Sequence, residues 1–422
     1  MASLFLPCAG GAEALLADEV ARITGRSAQA TRGGVWVEGD ERTAMALNLE
    51  SRLATRVLWP LIDGPYRDER DLYELARHVP WTHWITPEQT LRVDVTAMRS
   101  PLTSLNFAAL RIKDAVCDTL RESTGARPSV APRHPDLPLS LFVGPEHATL
   151  YADTSGEALF KRGWREDTGE APLKETLAAA MLAAAGWQGR AEDGPLFDPC
   201  CGAGTIAIEA AQMTCGIAPG ALRHFAFERM LPFKPLLGAW RELKQAAQAR
   251  VHAPAVAIFA GDVSFRMSDF ATRNAERAGV LHAIDFKTAD ALQRLPPCAA
   301  GTVMLNPPYG ERMSAKGSHA VGERIAPKGT GQERAASRES FEGGGSSAEF
   351  FGGLAGHWKR NYAGWTAWLL SPDMKLPTLM RLKESRRVPM WNGAIECRLF
   401  RFDLVAGSNK PRAAKVTPPA AG

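Results

Sequence analysis

Asn306-Pro307-Pro308-Tyr309 has the residue types needed to present an amino group on a nucleic-acid base for alkylation. An exocyclic base nitrogen shares its lone pair with the ring, so a catalyst must hold the –NH2 by its hydrogens and free the lone pair. The side-chain oxygen of Asn306 can accept one such bond, and the backbone carbonyl beside the rigid Pro307-Pro308 pair can accept a second. Tyr309 adds a flat apolar face for a base drawn out of its stack. Thr302-Val303-Met304-Leu305 reads as a short buried strand, which sets the tetrapeptide at a strand's carboxyl end, where open α/β sheets keep their chemistry. Taken alone, the four residues fit a proline-rich turn equally well.

A second motif decides between these readings. Leu196-Phe197-Asp198-Pro199-Cys200-Cys201-Gly202-Ala203-Gly204-Thr205 precedes a helical run, Ile206 to Met213, with apolar residues at Ile206, Ala210 and Met213. The pattern is strand, glycine loop, helix. Gly202 and Gly204 let backbone approach a ligand closely, and the helix start offers free N–H groups. The spacing Asp-x-x-x-Gly-x-Gly differs from the dinucleotide fingerprint. A carboxylate at the strand end suits a ligand carrying an ammonium better than a pyrophosphate, and S-adenosylmethionine is such a ligand.

Asp198 to Thr205, Asn306 to Arg312, and Pro172-Leu173-Lys174-Glu175-Thr176-Leu177-Ala178-Ala179-Ala180 together resemble the THUMP-domain class I RNA methyltransferases. The resemblance runs from Ser3 to about Phe402 with one insertion. It is nearest to the N-terminal half of the bacterial large-subunit rRNA guanine-N2 methyltransferases. It implies an α/β chain in which a Rossmann-like methyltransferase domain, with a mostly parallel seven-stranded sheet, follows a ferredoxin-like unit and a THUMP domain. The domains are expected at 1–62 (ferredoxin-like), 63–155 (THUMP, RNA-binding) and 166–405 (methyltransferase), with a tail at 406–422.

The resemblance also assigns roles. Cofactor contacts are expected from Thr176, Asp198, Pro199, Cys200, Gly202, Gly204, Thr205, Asp262, Asp290 and Asn306, and catalysis from Asn306, Pro307, Pro308 and Tyr309. Lys174, Glu175 and Thr176 should lie beside the cofactor. Asp262, at the end of the strand predicted over Ala253 to Phe259 and Gly261, should hold the ribose hydroxyls. Ser264 stands where the family usually has a second acid. Asp290, after a strand from Ile284 to Lys287, should accept from the adenine amino group. For either aspartate alone, a surface carboxylate is the plain alternative.

The elements that must position these residues are legible along the chain. A strand near Ser3 to Leu6, a helix from Gly11 to Thr24, a strand Val35 to Val37, a helix capped by Asp40 and running to Thr55, and a strand Val57 to Ile62 form a small α/β unit. A second unit has a helix opened by Asp68, a strand Leu91 to Val95, a helix Leu105 to Leu120, and a hairpin of Leu139 to Val143 with Ala148 to Asp153. Arg111 and Lys113 on that helix are candidate RNA contacts, made mainly to phosphates and shape. Asp114, Asp118 and Glu122 are interleaved, so a solvated surface is the alternative. Phe160-Lys161-Arg162-Gly163-Trp164-Arg165 alternates basic and aromatic residues, so Arg162, Trp164 and Arg165 are candidates for holding a single strand; a connecting hairpin fits as well.

Residues 314–347 are rich in glycine and charge and nearly free of apolar side chains, which predicts a flexible insertion. A hairpin from Arg387 to Phe402 around Asn392-Gly393 closes the sheet.

The 422 residues carry a formal net charge of +4, with 45% hydrophobic and 23% charged residues. That profile permits a nucleic-acid partner without requiring one. Seven scattered cysteines argue against a disulfide framework and for the cytoplasm. No metal site and no membrane span are expected. The expected activity is S-adenosylmethionine-dependent formation of N2-methylguanosine in large-subunit rRNA or its precursor particle, with one activity in this chain. Two rivals stand beside it: an adenine-N6 DNA methyltransferase, and a non-catalytic rRNA-binding assembly factor.

Overall fold

Leu4 and Leu6 are fully buried while Ser3 and Phe5 are only partly so, the period of two that fixes one strand face to a core. The computed structural model describes residues 1–169, 172–307 and 347–405. Its first sheet contains β1 (Ala2–Pro7), β2 (Ala28–Thr31), β3 (Gly34–Gly39), β4 (Leu58–Pro65), β5 (Thr90–Ala97), β6 (Ser129–Val130), β7 (Leu137–Val143) and β8 (His147–Asp153). Their order is β2-β3-β1-β4-β8-β7-β5-β6. β4 meets β1 through Phe5 and Leu58 and pairs with β8 along its length, so one strand fuses the two N-terminal units into a continuous sheet. The 62/63 boundary falls inside that strand.

Helices α1 (Glu13–Thr24), α2 (Glu41–Glu50), α3 (Glu69–Arg77) and α4 (Leu105–Thr124) accompany this sheet. Asp40 accepts from Thr43 N, Asp68 from Arg70 N and Asp71 N, and Ser104 from Phe107 N, so α2, α3 and α4 start on side-chain caps. α2 stops at Glu50, short of the expected Thr55. Beyond it the Glu19 carboxylate takes Ser51 Oγ, Arg52 N and Leu53 N, an alternative to another helical turn.

The second sheet contains β9 (Leu196–Asp198), β10 (Ile258–Asp262), β11 (Ile284–Thr288), β12 (Gly301–Leu305), β13 (Trp365–Ser371), β14 (Arg386–Asn392) and β15 (Ile395–Asp403), ordered β11-β10-β9-β12-β13-β15-β14. β9 to β13 run parallel, and β15 is antiparallel to both of its neighbours. This is the mostly parallel seven-stranded sheet expected. α5 (Glu175–Ala185), α6 (Thr205–Thr214), α7 (Leu237–Ala249), α8 (Phe265–Arg277), α9 (Ser347–Asn361) and α10 (Leu376–Met380) accompany it. Strand order reverses between β9 and β12, which opens a crevice at their carboxyl ends.

The two sheets belong to one packed body. Gly220 N donates to Leu49 O at 2.9 Å, Phe227 N to Thr154 O at 3.0 Å and Trp391 N to Gly10 O at 3.2 Å. Gly11 has a φ of 84°, and a Cβ there would run into the Pro389 carbonyl. Among the described residues no helix is long and apolar enough to cross a membrane.

Candidate active site

β9 ends at Asp198, and the chain then turns through Gly202 (φ 52°) and Gly204 (φ 88°) into α6. The two glycines serve different ends. A Cβ on Gly202 would meet nothing within 4 Å, leaving a cradle open beside the loop, whereas one on Gly204 would lie 3.0 Å from Ala271 Cβ on α8. Gly202 thus exposes backbone and Gly204 seats the loop against the neighbouring helix.

Three carboxylates surround this loop. Asp198 is 1% exposed; its Oδ1 accepts from Cys200 N at 3.2 Å, and its Oδ2 is buried with no hydrogen-bond partner among the described residues. Burial, with nearby Asp262 adding to it, pushes its carboxyl well above the usual range. Asp262, at the end of β10, accepts from Gly202 N and Ser264 N, both at 3.0 Å. Asp290 follows β11 and accepts from Leu292 N at 2.8 Å. The Cys200 thiol is pushed far up by burial and then by Asp198, Asp262 and Asp290, which holds it in the protonated form and shows that it feels all three acids. Such a cradle favours a cationic ligand.

Asn306 and buried Pro307 lie just past β12, which pairs with β9 through Thr302–Leu196 and Val303–Phe197. Asn306 therefore stands at the same sheet end as Asp198, one strand away. Pro308 and Tyr309 lie outside the described residues, as do 310–346 and 406–422, which include almost all of the expected insertion and the whole tail. Thr176 is buried at the second position of α5, Pro199 is buried in the loop, and Thr205 opens α6. An unpaired buried carboxylate oxygen, an open glycine cradle and further carboxylates beside it fit a ligand with an ammonium, a ribose and a positive centre.

The interleaved stretch before α5 does not face an RNA strand as expected. Arg162 is 1% exposed, with Nε donating to Glu209 Oε1 at 2.9 Å, and Trp164 is fully buried. Side chains in the interior cannot reach RNA, so both are structural. Arg165 also turns inward: Nε donates to Glu175 Oε1 at 2.8 Å and Nη2 to Thr205 Oγ1 at 2.7 Å. Arg111 and Lys113 are partly exposed on α4, each near Asp114, and the Arg111 guanidinium lies 4.6 Å from the Phe107 ring centroid.

Sequence reading missed other supports of the site. Asn274 on α8 donates to Ala203 O at 3.0 Å and Asp167 O at 2.9 Å, tying the glycine loop to the segment before α5. Arg294 donates to Ala260 O at 2.7 Å, and its guanidinium lies 4.6 Å from the Phe197 ring. These bonds join residues 34 to 107 apart in sequence, and neither end carries a local pattern. Among the described residues no group of His, Cys, Asp or Glu is disposed to hold a metal ion.

A parallel sheet with an antiparallel end hairpin, a glycine loop after its first strand and acids at the next two strand ends define a class I methyltransferase fold. The family models agree: residues 3–58 match the RlmL ferredoxin-like domain, 66–153 the THUMP domain and 162–321 the RMKL-like methyltransferase domain. The chain belongs to the THUMP-domain methyltransferase family.

It is 34% identical over 417 residues to a ribosomal RNA large subunit methyltransferase K/L of Shewanella amazonensis, covering 97% of this chain and 54% of that protein. A Psychromonas ingrahamii protein of the same name is 34% identical over 425 residues, covering 99% and 52%. The chain spans about half the length of these curated relatives. Among solved structures it resembles a predicted N6-adenine-specific DNA methylase of Listeria monocytogenes, with TM-score 0.78, 26% identity and 95% and 96% of the two chains covered. It also shares the fold of SMU.472, solved with SAH, with TM-score 0.79, 24% identity and 96% and 98% covered.

Proposed function

We propose that this chain is an S-adenosylmethionine-dependent methyltransferase that forms N2-methylguanosine in large-subunit ribosomal RNA, free or in a precursor particle. The observation that carries the reading is the placement of Asn306 one strand from the Asp198 cradle at the same end of the sheet. The relatives named for large-subunit rRNA support the substrate, and the THUMP match supports RNA over DNA.

Bound in the cradle, S-adenosylmethionine supplies a methyl group already activated by its sulfonium charge. Asp198 takes the ammonium, Asp262 the ribose hydroxyls and Asp290 the adenine amino group, with Gly202 opening the backbone to the ligand. The Asn306 side-chain oxygen and the Pro307 carbonyl accept the two N–H bonds of the target amine, and Tyr309 stacks on the flipped base. Catalysis is then mostly positioning and fixed dipoles.

The likeness to the Listeria protein named for N6-adenine methylation favours a second reading, adenine-N6 methylation, because Asn306 to Tyr309 suits either amine. Transfer of labelled methyl to unmodified rRNA, followed by nucleoside mass spectrometry, separates the two. N2-methylguanosine in large-subunit RNA is expected. N6-methyladenosine would overturn the base assignment, and cofactor binding without transfer to either free RNA or precursor particles would overturn the substrate.

A further inference from the structure

Arg165 lies in the segment between the two sheets, yet its guanidinium is spent on the methyltransferase domain. Nε pairs with Glu175, the first residue of α5, and Nη2 bonds Thr205 Oγ1, the first residue of α6, and Leu173 O at 3.2 Å. The remaining nitrogen, Nη1, is buried and has no partner among the described residues. A guanidinium left with two unused N–H donors is an anion-binding group.

Its surroundings point the same way. α5 and α6 begin at Lys174 and Gly204 without a side-chain cap, so their first backbone N–H groups are not taken by a capping side chain, and both positive helix ends flank Arg165. At the other end of the same glycine loop, Asp198 Oδ2 is the opposite case, a buried acceptor with no donor among the described residues. A ligand that satisfies both orphans carries an ammonium for Asp198 and an anionic oxygen for Arg165, and a free α-amino acid terminus carries both.

We propose that Arg165 is the residue that reads the α-carboxylate of S-adenosylmethionine, through Nη1, while Asp198 holds the α-ammonium. This deepens the cofactor reading above and rests on it. The cradle therefore selects an intact amino-acid tail. The same bonds also make Arg165 a brace between the starts of α5 and α6, so the test must separate binding from bracing.

Calorimetric titration of the full chain with S-adenosylmethionine and with decarboxylated S-adenosylmethionine, which keeps the ammonium, does so. Wild type is expected to bind the intact cofactor about 10- to 100-fold more tightly. Arg165→Gln should bring that ratio to within about threefold, chiefly by weakening the intact cofactor, and Arg165→Lys should fall between them. Equal weakening of both ligands by Arg165→Gln would make Arg165 a brace and overturn the proposal. Equal binding of both ligands by wild type would overturn it without any variant. Binding of neither ligand to wild type would overturn the cofactor reading itself.

Discussion

Two buried polar clusters lie a turn or so apart along α6, and they differ in one respect. At the junction between the sheets, Glu209 accepts from Arg162 Nε at 2.9 Å and Arg52 Nη1 at 3.3 Å, while Arg162 Nη1 donates to Leu159 O at 2.9 Å and its Nη2 to Arg52 O at 2.8 Å. Arg52 Nη2 completes the set on Ile217 O. In the cradle, Asp198 Oδ2 and Arg165 Nη1 are left without partners among the described residues. Desolvating a polar atom without a bond costs about 1 to 3 kcal/mol, and more when the group can carry charge, so a carboxylate oxygen and a guanidinium nitrogen left over at the two ends of one glycine loop favour a ligand that pairs both. The junction is built for the fold and the cradle for a ligand.

Breaking the junction should have the largest effect on stability. Glu209→Ala leaves two arginines buried without their anion and is expected to cost about 3 to 5 kcal/mol, read from urea unfolding. Asn306→Ala should lower methyl transfer about 100-fold, measured under single turnover with saturating cofactor. Cofactor affinity should also depend on pH. Burial raises the Asp198 carboxyl, so the free site keeps its proton above the ordinary value near 3.8. An ammonium needs the ionised form, so calorimetric affinity should rise with pH through the raised value and level off above it. The smallest effect is expected at the surface: Arg111→Ala should weaken RNA binding modestly and lower its salt dependence by about one counterion.

Strand, glycine loop and helix were legible around Asp198 because all three lie within twenty residues and each leaves a local mark. Asn306 was legible as a residue beyond a short apolar strand. The same local reading failed at Arg162 and Trp164, where alternating basic and aromatic residues suggested a surface; a basic residue enters the core only if a distant acid meets it, and Glu209 is 47 positions away. Asn274 was invisible for a similar reason, since its bonds to Ala203 and Asp167 span 71 and 107 residues. The continuous first sheet was hidden as well, because β4 pairs with β8, far along the chain, and such pairing leaves no local mark.

Asp198→Asn, followed for both unfolding free energy and S-adenosylmethionine affinity, tests the central claim most directly. A carboxyl with a raised value in the folded state loses stability as pH climbs from the unfolded value through the folded one, so removing its charge should stabilise the cofactor-free protein at neutral pH. The account predicts opposite signs: a more stable protein whose cofactor affinity falls at least about tenfold. A variant that binds the cofactor as wild type does would contradict it, because the unpaired Asp198 oxygen would then not be the ligand's partner.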